Sequence, residues 1–567
     1  MNRILGFILI ATIAVSCGEG TKKNEVQKVE KPKYEAAVST VSKEATHIGI
    51  DILNKGGNAF DAAIAVHFAL AVAYPEAGNI GGGGFTVYHD EFKESGCIDY
   101  REKAPMKASE NMFLDSKGNV IKGLSLNGAL AGGVPGSVDG MWEIHEKKGS
   151  IPWKELLQPA IKLAKEGFVI SSLEAEKLNK YQVDFLKFNS DTIPFVGNWK
   201  EGDTLIQTAL GRTIELIADS GASVFYTGSI GKKFATNVQE NGGIIMQEDL
   251  VRYSAAFREP VVGNFRTYKI VSMPPASSGG IALIQLLNGA EKYPIFSWGH
   301  NSPKTLHFYT ELMRRVYADR TTFLGDPEFY PVPTEKLVDK DYLDKRFIEI
   351  SDDKKTNSED VRAGNAERIE SYETTHYSIL DNKGNAVSTT TTLNGNYGSK
   401  VWLPNVGFFL NNEMDDFSVK AGVPNQFGLI GGQANSIEPE KRMLSSMTPT
   451  IVLKEEEPVL IVGSPGGSTI ITSVFQTIIN VLEFEMDLQE AVDAPKMHHQ
   501  WQPDVVILEE NKFDEATVEA LKNRGHVVEF TPKLGIMNCI FINNKKQSQA
   551  VGDITRYIGY GEVIKNE

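Results

Sequence analysis

A hydroxyl nucleophile that could carry its own base is the first chemistry the sequence offers. The charged stretch 351–373, nearly free of large apolar residues, runs directly into Thr374-Thr375-His376-Tyr377-Ser378-Ile379-Leu380. A threonine hydroxyl attacks poorly until a base removes its proton. An amino-terminal threonine has that base in its own α-amine, whose pKa of roughly 7.7–8.0 lies near working pH. An internal threonine has none, so a cut between Glu373 and Thr374 would have a chemical purpose. Alone the pattern is weak, because Thr-Thr occurs in many strands. A second feature lies downstream, where Gly463-Ser464-Pro465-Gly466-Gly467-Ser468 separates the apolar run 458–462 from a helix predicted from Thr469. Gly466 and Gly467 would present bare N–H groups at a helix start, aided by the helix dipole. Such a pair suits an oxyanion hole for a tetrahedral acyl intermediate. A plain strand–helix turn is the alternative.

The elements that must position these residues are readable in outline. Residues 374–380, the turn Asp381-Asn382-Lys383-Gly384-Asn385 and residues 386–394 read as strand, turn, strand, a hairpin entered straight from a flexible linker. Residues 58–73 (NAFDAAIAVHFALAVA) predict an alanine-rich, buried helix. The run Gly81-Gly82-Gly83-Gly84 precedes a strand and no Gly-Lys-Ser/Thr follows it, so it predicts close backbone packing rather than a phosphate loop. Residues 273–280 read as a turn into a helix from Ile281, with Ser277 and Ser278 as caps. Helical and alternating patterns mix throughout, which indicates an α/β or α+β chain.

The chain has 567 residues, 41% of them hydrophobic, enough for a large core. A formal net charge of −15 with no lysine–arginine run argues against a nucleic-acid partner. Arg3 and the apolar run 4–15, short for a membrane span, fit an export signal. The run ends Ala14-Val15-Ser16-Cys17, like a bacterial lipobox, so residues 1–17 read as a lipoprotein signal with Cys17 lipidated. Residues 18–36 read as a disordered tether, and the protein as exported, membrane-anchored and facing the periplasm. Cys97 and Cys539 could pair in an oxidising compartment, but buried free thiols are the expectation. Ten dispersed histidines, without HExxH or paired CxxC, lead to no expected metal.

Taken in order, several motifs resemble gamma-glutamyltranspeptidases, within the amino-terminal-nucleophile hydrolase superfamily. They are Gly56-Gly57-Asn58-Ala59-Phe60-Asp61, Tyr100-Arg101-Glu102, Thr374-Thr375-His376-Tyr377-Ser378, Leu410-Asn411-Asn412-Glu413-Met414-Asp415-Asp416-Phe417, Arg442-Met443-Leu444-Ser445-Ser446-Met447, Gly463–Ser468 and His498-His499-Gln500-Trp501. The resemblance implies a four-layer αββα sandwich built jointly by two subunits of one precursor, residues 37–373 and 374–567. It implies Thr374 as nucleophile, Thr392 as an assisting hydroxyl, and Gly466 and Gly467 as oxyanion-hole amides. The substrate's α-carboxylate would be held by Arg101, Ser445 and Ser446, and its α-amine by Asn394, Glu413 and Asp416. Those types suit a zwitterionic head, which needs a cation and hydroxyl donors at one end and acceptors at the other. Without the resemblance, Glu413–Asp416 would read as a solvated acidic turn, Arg101-Glu102 as a surface ion pair, and Ser445-Ser446 as turn hydroxyls. His498 and His499 read as structural.

The implied activity is gamma-glutamyl transfer and glutathione hydrolysis, without a cofactor, with water or an amino-acid or dipeptide amine as acceptor. The alternatives are a cephalosporin or glutaryl acylase of the same superfamily, or a non-catalytic binding lipoprotein on the same fold. One segment departs from the pattern. Residues 421–432 resemble a lid loop, yet Phe427 stands where many bacterial members place a tyrosine bonded to the asparagine matching Asn394, so that bond is unavailable here.

Overall fold

The computed structural model describes residues 33–189, 192–361 and 374–566, and residues 33–567 form one compact unit. The signal segment with Cys17, the tether up to residue 32, and Glu373 lie outside the described residues. Two antiparallel sheets make its centre. Their strands are β1 (Ala36–Thr40), β2 (Gly83–His89), β3 (Ser95–Asp99), β4 (Ala256–Arg258), β5 (Val261–Phe265), β6 (Tyr268–Ser272), β7 (Thr375–Leu380), β8 (Ala386–Thr392), β9 (Thr450–Lys454), β10 (Glu457–Val462), β11 (Asn538–Ile542), β12 (Ser548–Gly552) and β13 (Tyr560–Ile564). The first sheet is seven-stranded, ordered β13-β1-β7-β8-β2-β3-β4. The second is six-stranded, ordered β12-β11-β10-β9-β6-β5. Each sheet takes strands from both sides of Thr374.

The sheets face one another, with helices outside each. Helices α1 (Lys43–Asn54) and α2 (Ala59–Ala73) cover the first sheet; α3 (Gly279–Glu291) and α5 (Thr469–Leu482) cover the second, and α4 (Pro303–Phe323) packs on α3. This is the αββα sandwich expected. Helix α2 is buried at every residue because the first sheet lies on one side and other helices on the other. Asn58 caps it, accepting from the Asp61 amide at 2.9 Å while the Asp61 carboxylate accepts from the Asn58 amide.

The hairpin β7–β8 forms as expected. Its turn is closed by Asp381, whose Oδ1 accepts from the amides of Lys383, Gly384 and Asn385 at 2.9–3.0 Å. Both strands are buried on both faces. Alternation sends Tyr377 and Ile379 toward the α2 core, and His376 and Ser378 toward the second sheet, where Ser378 Oγ donates to Asn538 O at 2.9 Å. The hydroxyls of β8 are satisfied in the interior: Thr389 pairs with Thr86 at 2.9 Å, and Thr391 donates to Gly83 O at 2.8 Å. The glycine run opens β2 and packs as closely as its composition suggests. A Cβ on Gly82 would lie 2.1 Å from Thr392 O, and one on Gly84 2.5 Å from Thr390 O.

Two boundaries differ from the sequence reading. The tether ends before residue 36, since Tyr34 is buried and Ala36 already pairs in β1. The linker is likewise shorter than 351–373. Residues 355–358 are docked: Lys355 Nζ and the Ser358 amide donate to Asp504 Oδ2 at 2.9 and 3.1 Å, and Trp501 Nε1 donates to Ser358 O at 2.9 Å. Residues 362–373 lie outside the described residues. Cys97 and Cys539 are buried free thiols. Among the described residues no helix is long and apolar enough to cross a membrane, and no group of acidic, histidine or cysteine side chains is arranged to hold a metal ion.

Candidate active site

The pairing of β7 with β8 puts Thr375 opposite Thr391, so one further step of register sets Thr374 opposite Thr392. The alternation that turns His376 toward the second sheet turns Thr374 to the same side. There the 463–468 turn leaves β10, with Gly463 packed against the His376 ring so tightly that a Cβ would lie 2.2 Å away. Gly466 and Gly467 both adopt positive φ, 134° and 53°. Thr469, the first residue of α5, closes the turn with N–H and Oγ1 bonds to Gly466 O at 3.0 and 2.8 Å. The Gly466 and Gly467 amides make no hydrogen bond to protein among the described residues. Thr374, Thr392 and Gly467 line one cavity.

The acidic turn 413–416 is not solvated; it forms another wall of that cavity. Asn411 and Asn412 fasten it to the end of β8: Asn411 Nδ2 donates to Gly81 O and Gly133 O, both at 2.8 Å, and the Asn412 amide donates to Leu393 O at 3.1 Å. Asn394, at φ 69°, donates through Nδ2 to Asn412 O at 3.0 Å. Arg101 is fully buried, with Nη1 bonded to Glu413, Nη2 donating to Asp416 Oδ2 at 2.5 Å, and Nε donating to Met443 O at 3.3 Å. Glu102 lies 3.6 Å from Arg101 and is also fully buried; neither of its carboxylate oxygens has a hydrogen-bond partner among the described residues. The surface ion pair is therefore an interior cluster of three carboxylates around one guanidinium. Burial raises the pKa of all three acids, Glu102 to about 7, despite the opposing pull of Arg101.

The remaining wall is the Ser445-Ser446 segment, held by the turn before α3. The Ser278 amide and Oγ donate to Ser445 O at 2.8 and 2.6 Å, and Ser277 Oγ donates to Met447 O at 2.6 Å. These serines were expected to cap α3. Ser277 does accept from the Gly279 amide at 3.1 Å, but the N-cap residue Ser278 makes no side-chain cap bond. Its hydroxyl is drawn to Ser445 instead. The segment 421–432 lies over the cavity. The Phe427 ring rests on Gly467, where a Cβ would come within 2.4 Å of it. Asn425 Nδ2 donates to Asp416 Oδ1 at 3.2 Å, the Gln426 amide to Asp415 Oδ2 at 2.9 Å, and Gln500 Nε2 to Phe427 O at 3.1 Å. His498 supports this lid through Gln500 Oε1 at 2.9 Å, and His499 faces Asp504 at 3.3 Å, both away from the cavity wall.

Arg101, Thr374, Thr392, Asn394, Glu413, Asp416, Ser445, Ser446 and Gly467 thus come together, with Gly466 one residue behind the lining. Sequence reasoning missed Arg320, a buried member of the same wall on α4. Burial lowers its pKa, unlike that of Arg101, which neighbouring carboxylates raise. The available clue was that Arg320 falls on the apolar face of 303–323, four residues after Val316 and seven after Met313, so its charge belongs inside.

The chain matches the gamma-glutamyltranspeptidase family over residues 45–561. It is 42% identical over 511 residues to the glutathione hydrolase proenzyme of Escherichia coli (strain K12), covering 89% of this chain and 88% of that protein. The solved Helicobacter pylori gamma-glutamyltranspeptidase is 44% identical, with a TM-score of 0.55 over 57% of this chain and 94% of that one. A cephalosporin acylase from Bacillus halodurans shares the fold at 22% identity, with a TM-score of 0.81 over 97% of this chain and 99% of that one.

Proposed function

The chain belongs to the gamma-glutamyltranspeptidase family, and on that premise we propose that it is a self-cleaving enzyme that moves γ-glutamyl groups from glutathione to water or to an amine. The observation that carries this reading is one cavity shared by Thr374, a glycine turn with unused amides, and a charged wall matched to an amino-acid head. Cleavage between Glu373 and Thr374 frees the α-amine that serves as base. The Thr374 hydroxyl then attacks the γ-carbonyl carbon while the amine takes its proton. Thr392, opposite it in the register, assists as a second hydroxyl. The amides of Gly466 and Gly467 hold the oxyanion. Collapse breaks the amide bond, the amine returns the proton to the leaving nitrogen, and a γ-glutamyl ester remains on Thr374. Water releases glutamate; an amino-acid or dipeptide amine gives a new γ-glutamyl amide.

Asn394, Glu413 and Asp416 read the α-amine, while Arg101, Ser445 and Ser446 read the α-carboxylate. An acyl group without an amine leaves the excess carboxylates of this wall unmatched, which disfavours the acylase reading. The two pieces, 18–373 and 374–567, remain joined after cleavage because both sheets draw strands from each. Glutamate release from glutathione, with and without an acceptor dipeptide, tests the activity. Thr374→Ala is expected to remain one chain on a denaturing gel and to be inactive; a variant still cut before residue 374 sinks the mechanism. We also assign the protein to a lipid anchor at Cys17, on the sequence alone. Cys17→Ser should move it to the soluble exported fraction, and an unchanged membrane fraction would dispose of the anchor.

A further inference from the structure

Arg101 is already matched by acids, with Glu413 and Asp416 bonded and Glu102 at 3.6 Å. The cavity wall holds a second guanidinium in a different state. Arg320, in the last turn of α4, is 4% exposed and pairs with no carboxylate among the described residues. Its bonds go to hydroxyls, Nη2 donating to Ser446 Oγ and Nε to Ser278 Oγ, each at 3.0 Å. Ser446 Oγ is thereby an acceptor toward Arg320, and its own proton has no protein acceptor among the described residues. Ser445 Oγ is in the same position, accepting from the Met447 amide at 3.1 Å. Ser278 carries the link further, because its Oγ donates to Ser445 O at 2.6 Å. One guanidinium therefore sets the Ser446 hydroxyl directly and, through Ser278, the Ser445 backbone, leaving the two serine O–H groups to donate into the cavity.

We infer that Arg320 is a specificity-determining residue for the substrate's α-carboxylate: it holds the Ser446 hydroxyl as a donor, anchors the Ser445 backbone through Ser278, and adds a second positive charge to that of Arg101. The inference rests on the γ-glutamyl reading above. A carboxylate accepting from two hydroxyls beside a guanidinium that makes no ion-pair contact among the described residues, with Asp416 acting on it only at longer range, is bound through charge-assisted bonds in a water-poor site. Arg320 acts through Ser446 and through its field, so it is a positioning residue, and its loss should affect binding more than turnover.

Three p-nitroanilides separate the ends of the head group. The γ-glutamyl compound has carboxylate and amine, the glutaryl compound only the carboxylate, and the 4-aminobutyryl compound only the amine. Arg320→Gln is expected to raise KM for the first two by roughly 10- to 100-fold, the size of a lost charge-assisted bond, with kcat little changed. The 4-aminobutyryl substrate should be unaffected. Arg320→Lys keeps the charge but reaches one hydroxyl, so its KM rise should be smaller and confined to the same two substrates. It also carries the test if the glutamine variant does not mature. Equal effects on all three substrates, or none on any, would overturn the assignment of Arg320 while leaving the activity intact. A wild-type enzyme that ignores the γ-glutamyl compound overturns the activity, and this inference with it.

Discussion

Replacing Asp416 with asparagine removes one charge from the amine-reading wall while keeping its shape. Asp416 Oδ2 accepts from Arg101 at 2.5 Å and Oδ1 from Asn425 at 3.2 Å. An amide oxygen at 416 can still accept from Asn425, so the lid tether survives. With all three carboxylates ionised, the cluster of Arg101, Glu102, Glu413 and Asp416 has a formal charge of 1 − 3 = −2, and the variant has one negative charge fewer. An ammonium about 4 Å from a carboxylate at an effective dielectric near 20 gains about 4 kcal/mol. Removing one partner of a buried pair costs about 2–5 kcal/mol in measured cases. Taking roughly 2–4 kcal/mol, at about 1.4 kcal/mol per factor of ten, kcat/KM for γ-glutamyl-p-nitroanilide should fall roughly 30- to 700-fold. The assay is anilide release by the mature enzyme at pH 8, with the glutaryl anilide in parallel and the two cleaved chains checked on a gel. The glutaryl substrate has no ammonium to lose, so its smaller turnover should change little. Equal losses on both substrates would refute the reasoning and make Asp416 a structural residue.

Other expectations follow from the same geometry. Gly467→Ala places a methyl 2.4 Å from the Phe427 ring at a φ of 53°, and kcat/KM should drop about 10- to 100-fold, since left-handed backbone alone costs a Cβ residue roughly 1–2 kcal/mol. Combining it with Phe427→Leu should restore part of the loss; no restoration would mean that the ring does not press on the turn. Phe427→Tyr offers a hydroxyl to Asn394 Oδ1, the amide's Nδ2 being held by Asn412 O at 3.0 Å. A net gain of about 0.5–1.5 kcal/mol should lower donor KM roughly 2- to 10-fold, and an unchanged KM and transfer-to-hydrolysis ratio would refute lid contact with the substrate. The pH dependence has a definite sign. Burial raises Glu102 to about 7, so its contribution to stability is complete below the ordinary glutamate range and lost as pH rises through about 7. Ionised Glu102 adds its charge behind Glu413 and Asp416, so KM for the γ-glutamyl compound relative to the glutaryl one should fall as pH rises through 7; a flat ratio between pH 6 and 8 would exclude the cluster as the amine site.

Local patterns reported well where the physics is local. Asn58 before an apolar helix, Asp381 and Gly384 between two alternating runs, and glycines ahead of Thr469 each depend on neighbours a few residues away. The chemical candidates were legible for a related reason. A nucleophile at a strand start and paired glycines at a helix start are short-range arrangements, and the ordered motifs that accompany them carried the family.

Charged residues were less legible, because a charge in sequence has the same type on a surface as in a core. Glu413, Asp416, Arg101 and Glu102 read alone as solvated groups, yet three of them are buried and Asp416 keeps only 11% exposure, because Asn411 ties the acidic turn to Gly81 and Asn412 ties it to the hairpin end. Residues 355–358 likewise look like free linker until Asp504 and Trp501, from far along the chain, hold them. The amino-acid sequence by itself determined the hairpin, the helix starts and the kinds of group available for acyl transfer. Only the tertiary structure decided that three acids share one guanidinium, that Phe427 rests on Gly467, and that Arg320 bonds Ser446 from behind the cavity wall. The physical reason is that desolvation and ion pairing depend on which distant segments meet, and no local pattern encodes that meeting.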